Sequence, residues 1–216
     1  MESRSGTTVV VTGFEPFGGD DVNESWEAVR RLARDRYALA PDVELVTARL
    51  PVTFAGATAA LAGLVAEHRP DVVVATGLAA GTDAVRLERV AVNVVDARIP
   101  DNDGEQPVDV PVRDGGPTAY LTTLPVKAAL VALHAAGLPA VVSNTAGTYV
   151  CNAAFYALRH AVEPSPGVAA GFVHVPRADV VPAADAARAL GVVVATAVAA
   201  RHGAAHQAPV PAGTEH

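Results

Sequence analysis

Short apolar runs and helical patterns alternate along the chain. Thr7–Thr12 (TTVVVT) is β-branched and closed by Gly13, which predicts a buried strand. Trp26, Val29 and Leu32 recur at helical spacing in Ser25–Asp35, with Ser25 as the predicted cap. Val43–Leu50 alternates like a strand, and Phe54–His68 reads as an Ala/Leu-rich helix. A second buried strand, Asp71–Thr76 (DVVVAT), ends at Gly77. Glu88–Val95 (ERVAVNVV) alternates again, ahead of a polar Pro/Gly loop over Asp96–Pro117. The rest reads as helix over Val126–Ala136, an apolar strand-like run at Ala140–Ser143, helix over Thr148–His160, a strand over Val168–Val175 stopped by Pro176, and a last helix over Ala183–Arg201.

Strand–helix alternation implies one α/β domain, residues 1–202, with a largely parallel sheet and helices on both faces; residues 203–216 read as a loose tail. In such sheets ligands bind beyond the carboxyl ends of the strands. Chemistry is therefore expected in the loops after Thr12, Thr76, Val95, Ser143 and Val175.

Composition narrows the function classes. A chain of 216 residues fits one domain, and half of its residues are hydrophobic with 18% charged, which excludes a disordered chain. The net charge of −7 argues against nucleic-acid binding, which needs a basic patch. A single cysteine excludes an internal disulfide and a cysteine-rich zinc cage. Near the C-terminus the longest uncharged apolar stretch, Ala189–Ala200, is about a dozen residues against the roughly 18–20 a membrane span requires. The N-terminus lacks the pattern of a signal peptide, so a cytoplasmic protein is expected.

The loop after the first strand, TGFEPFGGDDVNES, has two glycines and a helix start, features of phosphate binding. It lacks the lysine of a Walker loop and the G-x-G-x-x-G fingerprint. It carries Phe14 and Phe17 instead, either as packing beneath the loop or as an apolar pocket wall. Cys151 falls in the first turn of a helix if Thr148 caps it. There the helix dipole favours thiolate, although a lone cysteine is also commonly a small core residue. His174 shares a strand face with Phe172 near the strand's end, as a base that activates a thiol or as a satisfied core histidine. Glu88 shares a face with Val90, Val92 and Val94, where a carboxylate needs a partner. That partner is an arginine such as Arg89 or Arg98, or His174 in a triad. His202 and His206 stand four residues apart without a third metal ligand, and neither H-E-x-x-H nor G-x-S-x-G occurs.

At these same residues the chain resembles the pyroglutamyl-peptidase type I family, also called pyrrolidone-carboxylate peptidases. The resemblance rests on TGFEPFGG with Asn23 and Ser25, on ERVAVNVVDARIPDNDGEQP, on SNTAGTYVCN and on GFVHVP, in order from Val9 to Val175. It implies an α/β/α sandwich with a largely parallel, mixed central sheet, no metal or organic cofactor, and often a homotetramer. It implies Cys151 as nucleophile, His174 as base then acid, and Glu88 as the group orienting His174. Arg98 would help hold the oxyanion, and Phe14 and Phe17 would sandwich the pyrrolidone ring. Asn23, Ile99, Tyr149 and Val150 would complete the pocket, with the backbone at Leu78 pairing the lactam. Leu87, Tyr149 and Leu78 depart from the residues commonest there (Pro, Phe and Gln), and none removes a catalytic group.

The expected activity is release of an N-terminal pyroglutamyl residue from peptides through a thioester acyl-enzyme. A neutral, flat lactam suits aromatic walls and needs no ionic anchor. Two other readings compete: a nucleoside phosphorylase or hydrolase, which would need a phosphate or ribose site, and a lactam-binding module without turnover.

Overall fold

The computed structural model describes residues 6–204 and 210–213; His206 and most of the expected tail lie outside them. β1 (Thr7–Phe14) is buried at every position, as a strand covered on both faces must be. It leads into α1 (Glu24–Asp35), β2 (Val43–Leu50), α2 (Phe54–His68) and β3 (Val72–Leu78). β4 (Val85–Glu88), β5 (Val90–Val92) and β6 (Ala119–Leu121) follow, then α3 (Val126–Ala135) and β7 (Ala140–Ser143). The last elements among the described residues are α4 (Val150–Val162), β8 (Ala169–Val175) and α5 (Ala183–Arg201).

The main sheet has six strands in the order β2-β1-β3-β8-β4-β7. The first four are parallel, β4 runs antiparallel to β8, and β7 is parallel to β4. This is the mixed, largely parallel sheet of an α/β/α sandwich. One face packs on α1, α3 and α5 through Val9, Val11, Val72, Val74, Val173 and Leu190. The other packs on α2 and α4 through Val10, Val73, Ala75, Phe155 and Phe172. α5 is long and apolar enough by composition to cross a membrane, but Leu190, Val193, Val194 and Ala197 are buried in the first core, so packing accounts for its apolar face. Beyond it, Lys127 Nζ donates to the Val210 carbonyl at 2.8 Å and Ala212 packs on the same core.

Four local expectations change. Glu88–Val95 is not one strand: β4 stays in the main sheet, while β5 pairs with β6 in a separate two-stranded sheet. Asn152 draws the chain away, since Val92 N–H donates to its Oδ1 at 3.0 Å and its Nδ2 donates to the Val92 and Val94 carbonyls. Gly13 and Gly77 lie inside β1 and β3 rather than ending them. Asn23, not Ser25, caps α1, accepting from the Ser25 backbone N–H. Tyr149, not Thr148, is the N-cap of α4, because the Thr148 hydroxyl is spent on the Asp96 carbonyl at 2.8 Å.

Candidate active site

Strand alternation selects the residues of the site. Successive side chains on a strand point to opposite faces. Ala170 and Phe172 of β8 belong to the second core, so His174 shares their face. Val73 and Ala75 of β3 bring Gly77 to it, and Phe14 ends β1 on the same side. Val85 and Leu87 of β4 enter the first core, which leaves Arg86 and Glu88 facing the second side.

Across the antiparallel β4–β8 pair, His174 lies opposite Arg86 and Glu88 opposite Phe172. Glu88 is thus a diagonal neighbour of His174, within reach of a long side chain. Its Oε1 meets His174 Nδ1 at 2.8 Å, with the Glu88 side chain 0% and the His174 side chain 8% exposed. Water is therefore excluded from this bond. The Phe172 ring, 4.8 Å from the imidazole centroid to centroid, braces the other side. Glu88 Oε2 is buried without a hydrogen-bond partner among the described residues, so its charge is compensated mainly through the histidine.

Cys151 arrives from a different element, as the second residue of α4. With Nδ1 taken by Glu88, Nε2 is the ring nitrogen left for the thiol. Burial alone pushes the His174 pKa down. The hydrogen bonds and charges of Cys151 and Glu88 outweigh it and raise the pKa to about 9. The arrangement favours a charged imidazole held between Glu88 and the Cys151 sulfur.

Gly77 makes room for this. It is the β3 partner of His174, and a Cβ there would lie 2.9 Å from Cys151 Sγ and 2.9 Å from Phe172 Cζ.

The thiol opens onto a cavity of about 400 Å³. Phe14, Phe17, Asn23, Leu78, Tyr149 and Val150 line it together with Glu88, Cys151 and His174. Phe14 settles both earlier readings at once: it is 2% exposed, part of the second core, and a cavity wall. Phe17 is half-buried, in a loop reversed by Gly18 and Gly19 at φ 64° and 88°, which glycine adopts without strain. Asn23 Nδ2 donates to the Glu15 carbonyl at 2.9 Å, fixing the start of this loop against α1. Tyr149 donates its hydroxyl to the Pro100 carbonyl at 2.9 Å, a bond a phenylalanine could not make. Burial, with Asp101 and Cys151 nearby, holds that phenol above its usual pKa, so it stays a donor.

Arg98 and Ile99 do not line this cavity. Their loop is tied on either side, by Ala97 N–H to the Pro107 carbonyl at 2.8 Å and by the Tyr149–Pro100 bond, and Arg98 is exposed on the rim. Reading the sequence alone missed the roles of Gly77, Asn152 and Arg86. Asn152 carried a signal, a polar residue on the apolar face of a helix next to the only cysteine. Arg86 carried another, since it shares the period-two face of Glu88.

Comparison with known proteins adds a family to this geometry. Residues 7–208 match the family model described as pyroglutamyl peptidase. The pyrrolidone-carboxylate peptidase of Clavibacter michiganensis subsp. michiganensis is 55% identical over 169 residues, 78% of this chain and 78% of that one. The pyrrolidone-carboxylate peptidase of Thermococcus onnurineus is 52% identical, over 78% of this chain and 82% of its own. Among solved structures, pyroglutamyl peptidase I from Bacillus amyloliquefaciens superposes with a TM-score of 0.83 at 37% identity, covering 90% of this chain and 98% of that one. Pyrrolidone carboxyl peptidase from Thermococcus litoralis gives 0.87 at 32% identity, covering 95% and 99%.

Proposed function

This chain belongs to the pyroglutamyl peptidase family, a family of cysteine hydrolases, and from that premise we propose how its own residues remove an N-terminal pyroglutamyl residue from peptides. The single observation that carries the reading is His174, held by Glu88 at 2.8 Å beside Cys151, at the wall of a cavity shared with Phe14 and Phe17.

The lactam ring enters between Phe14 and Phe17, with Val150 and Tyr149 closing the pocket and the Leu78 backbone pairing the lactam. Asn23 holds the loop and contributes polar wall. The Cys151 thiolate attacks the pyroglutamyl carbonyl carbon, and its proton rests on His174. The oxyanion takes hydrogen bonds from backbone N–H groups at the start of α4, which no side chain caps. Arg98 adds positive charge only by turning in from the rim, so its share is the smaller one. His174 then gives its proton to the leaving amine as the C–N bond breaks, leaving a thioester on Cys151. Water, deprotonated by His174, attacks the thioester and releases pyroglutamate and the free thiol. Glu88 orients the imidazole and stabilises its charged form throughout.

An acidic chain with one thiol nucleophile suits a reducing cytoplasm, and the family resemblance suggests a homotetramer, to be checked by light scattering. The activity test is hydrolysis of a chromogenic pyroglutamyl amide. Iodoacetamide should abolish turnover in step with one label per chain, a pyroglutamate analogue should slow labelling, and Cys151→Ala should be inert. An active Cys151→Ala enzyme would end the nucleophile assignment.

A further inference from the structure

The cavity holds one charged side chain that the chemistry above does not use. Arg86 lines it, half-buried, on the same strand face as Glu88. It is the direct cross-strand partner of His174, which puts the two Cβ atoms about 5 Å apart. On its other side it pairs with Val141 of the edge strand β7, which is exposed, so the sheet face is open there. No carboxylate forms a salt bridge with Arg86 among the described residues. The one carboxylate lining the cavity, Glu88, holds His174 through Oε1 and forms no ion pair with Arg86. Next to an imidazolium, a guanidinium in an apolar cavity is unfavourable until an anion reaches it.

The substrate can supply that anion from one side of the scissile bond only. The pyroglutamyl residue is uncharged, because its amine and side-chain carboxyl are joined in the lactam and its α-carboxyl is the scissile carbonyl. His174, as the acid, marks where the leaving nitrogen sits. The carbon bonded to that nitrogen bears the leaving residue's side chain and its carboxyl group, one strand over from His174 towards Arg86. We infer that Arg86 is a specificity-determining residue that binds a carboxylate on the leaving residue, either the free α-carboxylate of a pyroglutamyl dipeptide or the side chain of Asp or Glu. This rests on the peptidase reading above and goes beyond it in naming the charge of the preferred leaving group.

The test compares kcat/KM for full-length enzyme on pGlu-Ala against pGlu-Ala-NH2, and on pGlu-Asp-NH2 against pGlu-Asn-NH2, for wild type, Arg86→Met and Arg86→Glu. Methionine keeps an unbranched apolar stem, so packing changes little, and circular dichroism checks folding. Wild type should favour the acid in at least one pair by roughly tenfold, equivalent to about 1.4 kcal/mol, and the pair that responds identifies the source of the carboxylate. The preference should shrink with added salt, fall to near one in Arg86→Met, and reverse in Arg86→Glu. Equal ratios in wild type and Arg86→Met, in both pairs, would overturn the inference while leaving the peptidase reading intact. Failure of wild type on all four substrates would instead overturn the reading on which it rests.

Discussion

The two faces of the central sheet are built from the same strands and differ in what they carry. On the face covered by α1, α3 and α5, the core is built of Val, Leu and Ala, and the buried Thr76 hydroxyl on that side makes no hydrogen bond among the described residues. On the face covered by α2 and α4, apolar packing is interrupted near one edge by Glu88, His174 and Asn152, all buried and all hydrogen-bonded. One face tolerates any side chain of suitable volume. The other depends on distances of 2.8–3.0 Å. Stability and catalysis should therefore separate by face.

The largest effect expected is on catalysis alone. His174→Ala removes both proton transfers and should lower kcat/KM by about 10³-fold or more, with folding retained by circular dichroism. Appreciable activity in that variant would be inconsistent with the triad. Gly77→Ala should follow, at about a hundredfold, because its methyl group displaces Sγ by a fraction of an ångström to an ångström. On the opposite face Leu190→Ala, at a fully buried position, should destabilise by about 2–5 kcal/mol in denaturant melts, yet leave turnover per folded molecule alone. A matching loss of turnover would break the separation of the faces.

Glu88→Gln should be milder than His174→Ala, since a thiol depends less than a hydroxyl on the third group. It should also change the pH response. With its pKa raised from 6.5 to about 9 in the folded protein, His174 contributes stability that is fully present below pH 6.5 and lost as pH rises through about 9. Wild-type Tm should fall across that window, and the fall should flatten in Glu88→Gln. An unchanged profile would return Glu88 to a bystander. Phe17→Ala should weaken transition-state binding by about 1–3 kcal/mol, seen in kcat/KM, with little change in Tm. Arg98→Ala, at the exposed rim, should have the smallest effect of the series; a loss as large as that of Gly77→Ala would mean the rim loop turns inward during turnover.

Much of this was legible in the chain before folding. The β-branched runs announced β1 and β3, and period-two placement put Phe172 and His174 on one face. The position of Cys151 in a first turn survived although its cap was misassigned, because Thr148 and Tyr149 are adjacent and only tertiary hydrogen bonds decide which one closes the helix. The split after Glu88 was not legible. ERVAVNVV alternates without a break, and the force that divides it comes from Asn152, some sixty residues away in sequence. Gly77 read as a strand terminator for the same reason: its role is set by Phe172 and Cys151, which reach it only in the folded sheet.

Asn152 also makes one backbone position a gauge of the site. The Val92 amide proton is held by the Asn152 side chain at 3.0 Å rather than by a neighbouring strand, and Asn152 adjoins Cys151 at the start of α4. Hydrogen–deuterium exchange at Val92 therefore reports whether that end of α4 is seated. Acylating or alkylating the thiol is expected to strain the same turn. Exchange at Val92 should quicken when a bulky reagent occupies the sulfur, while Val10 and Val73, deep in the parallel strands, keep their protection.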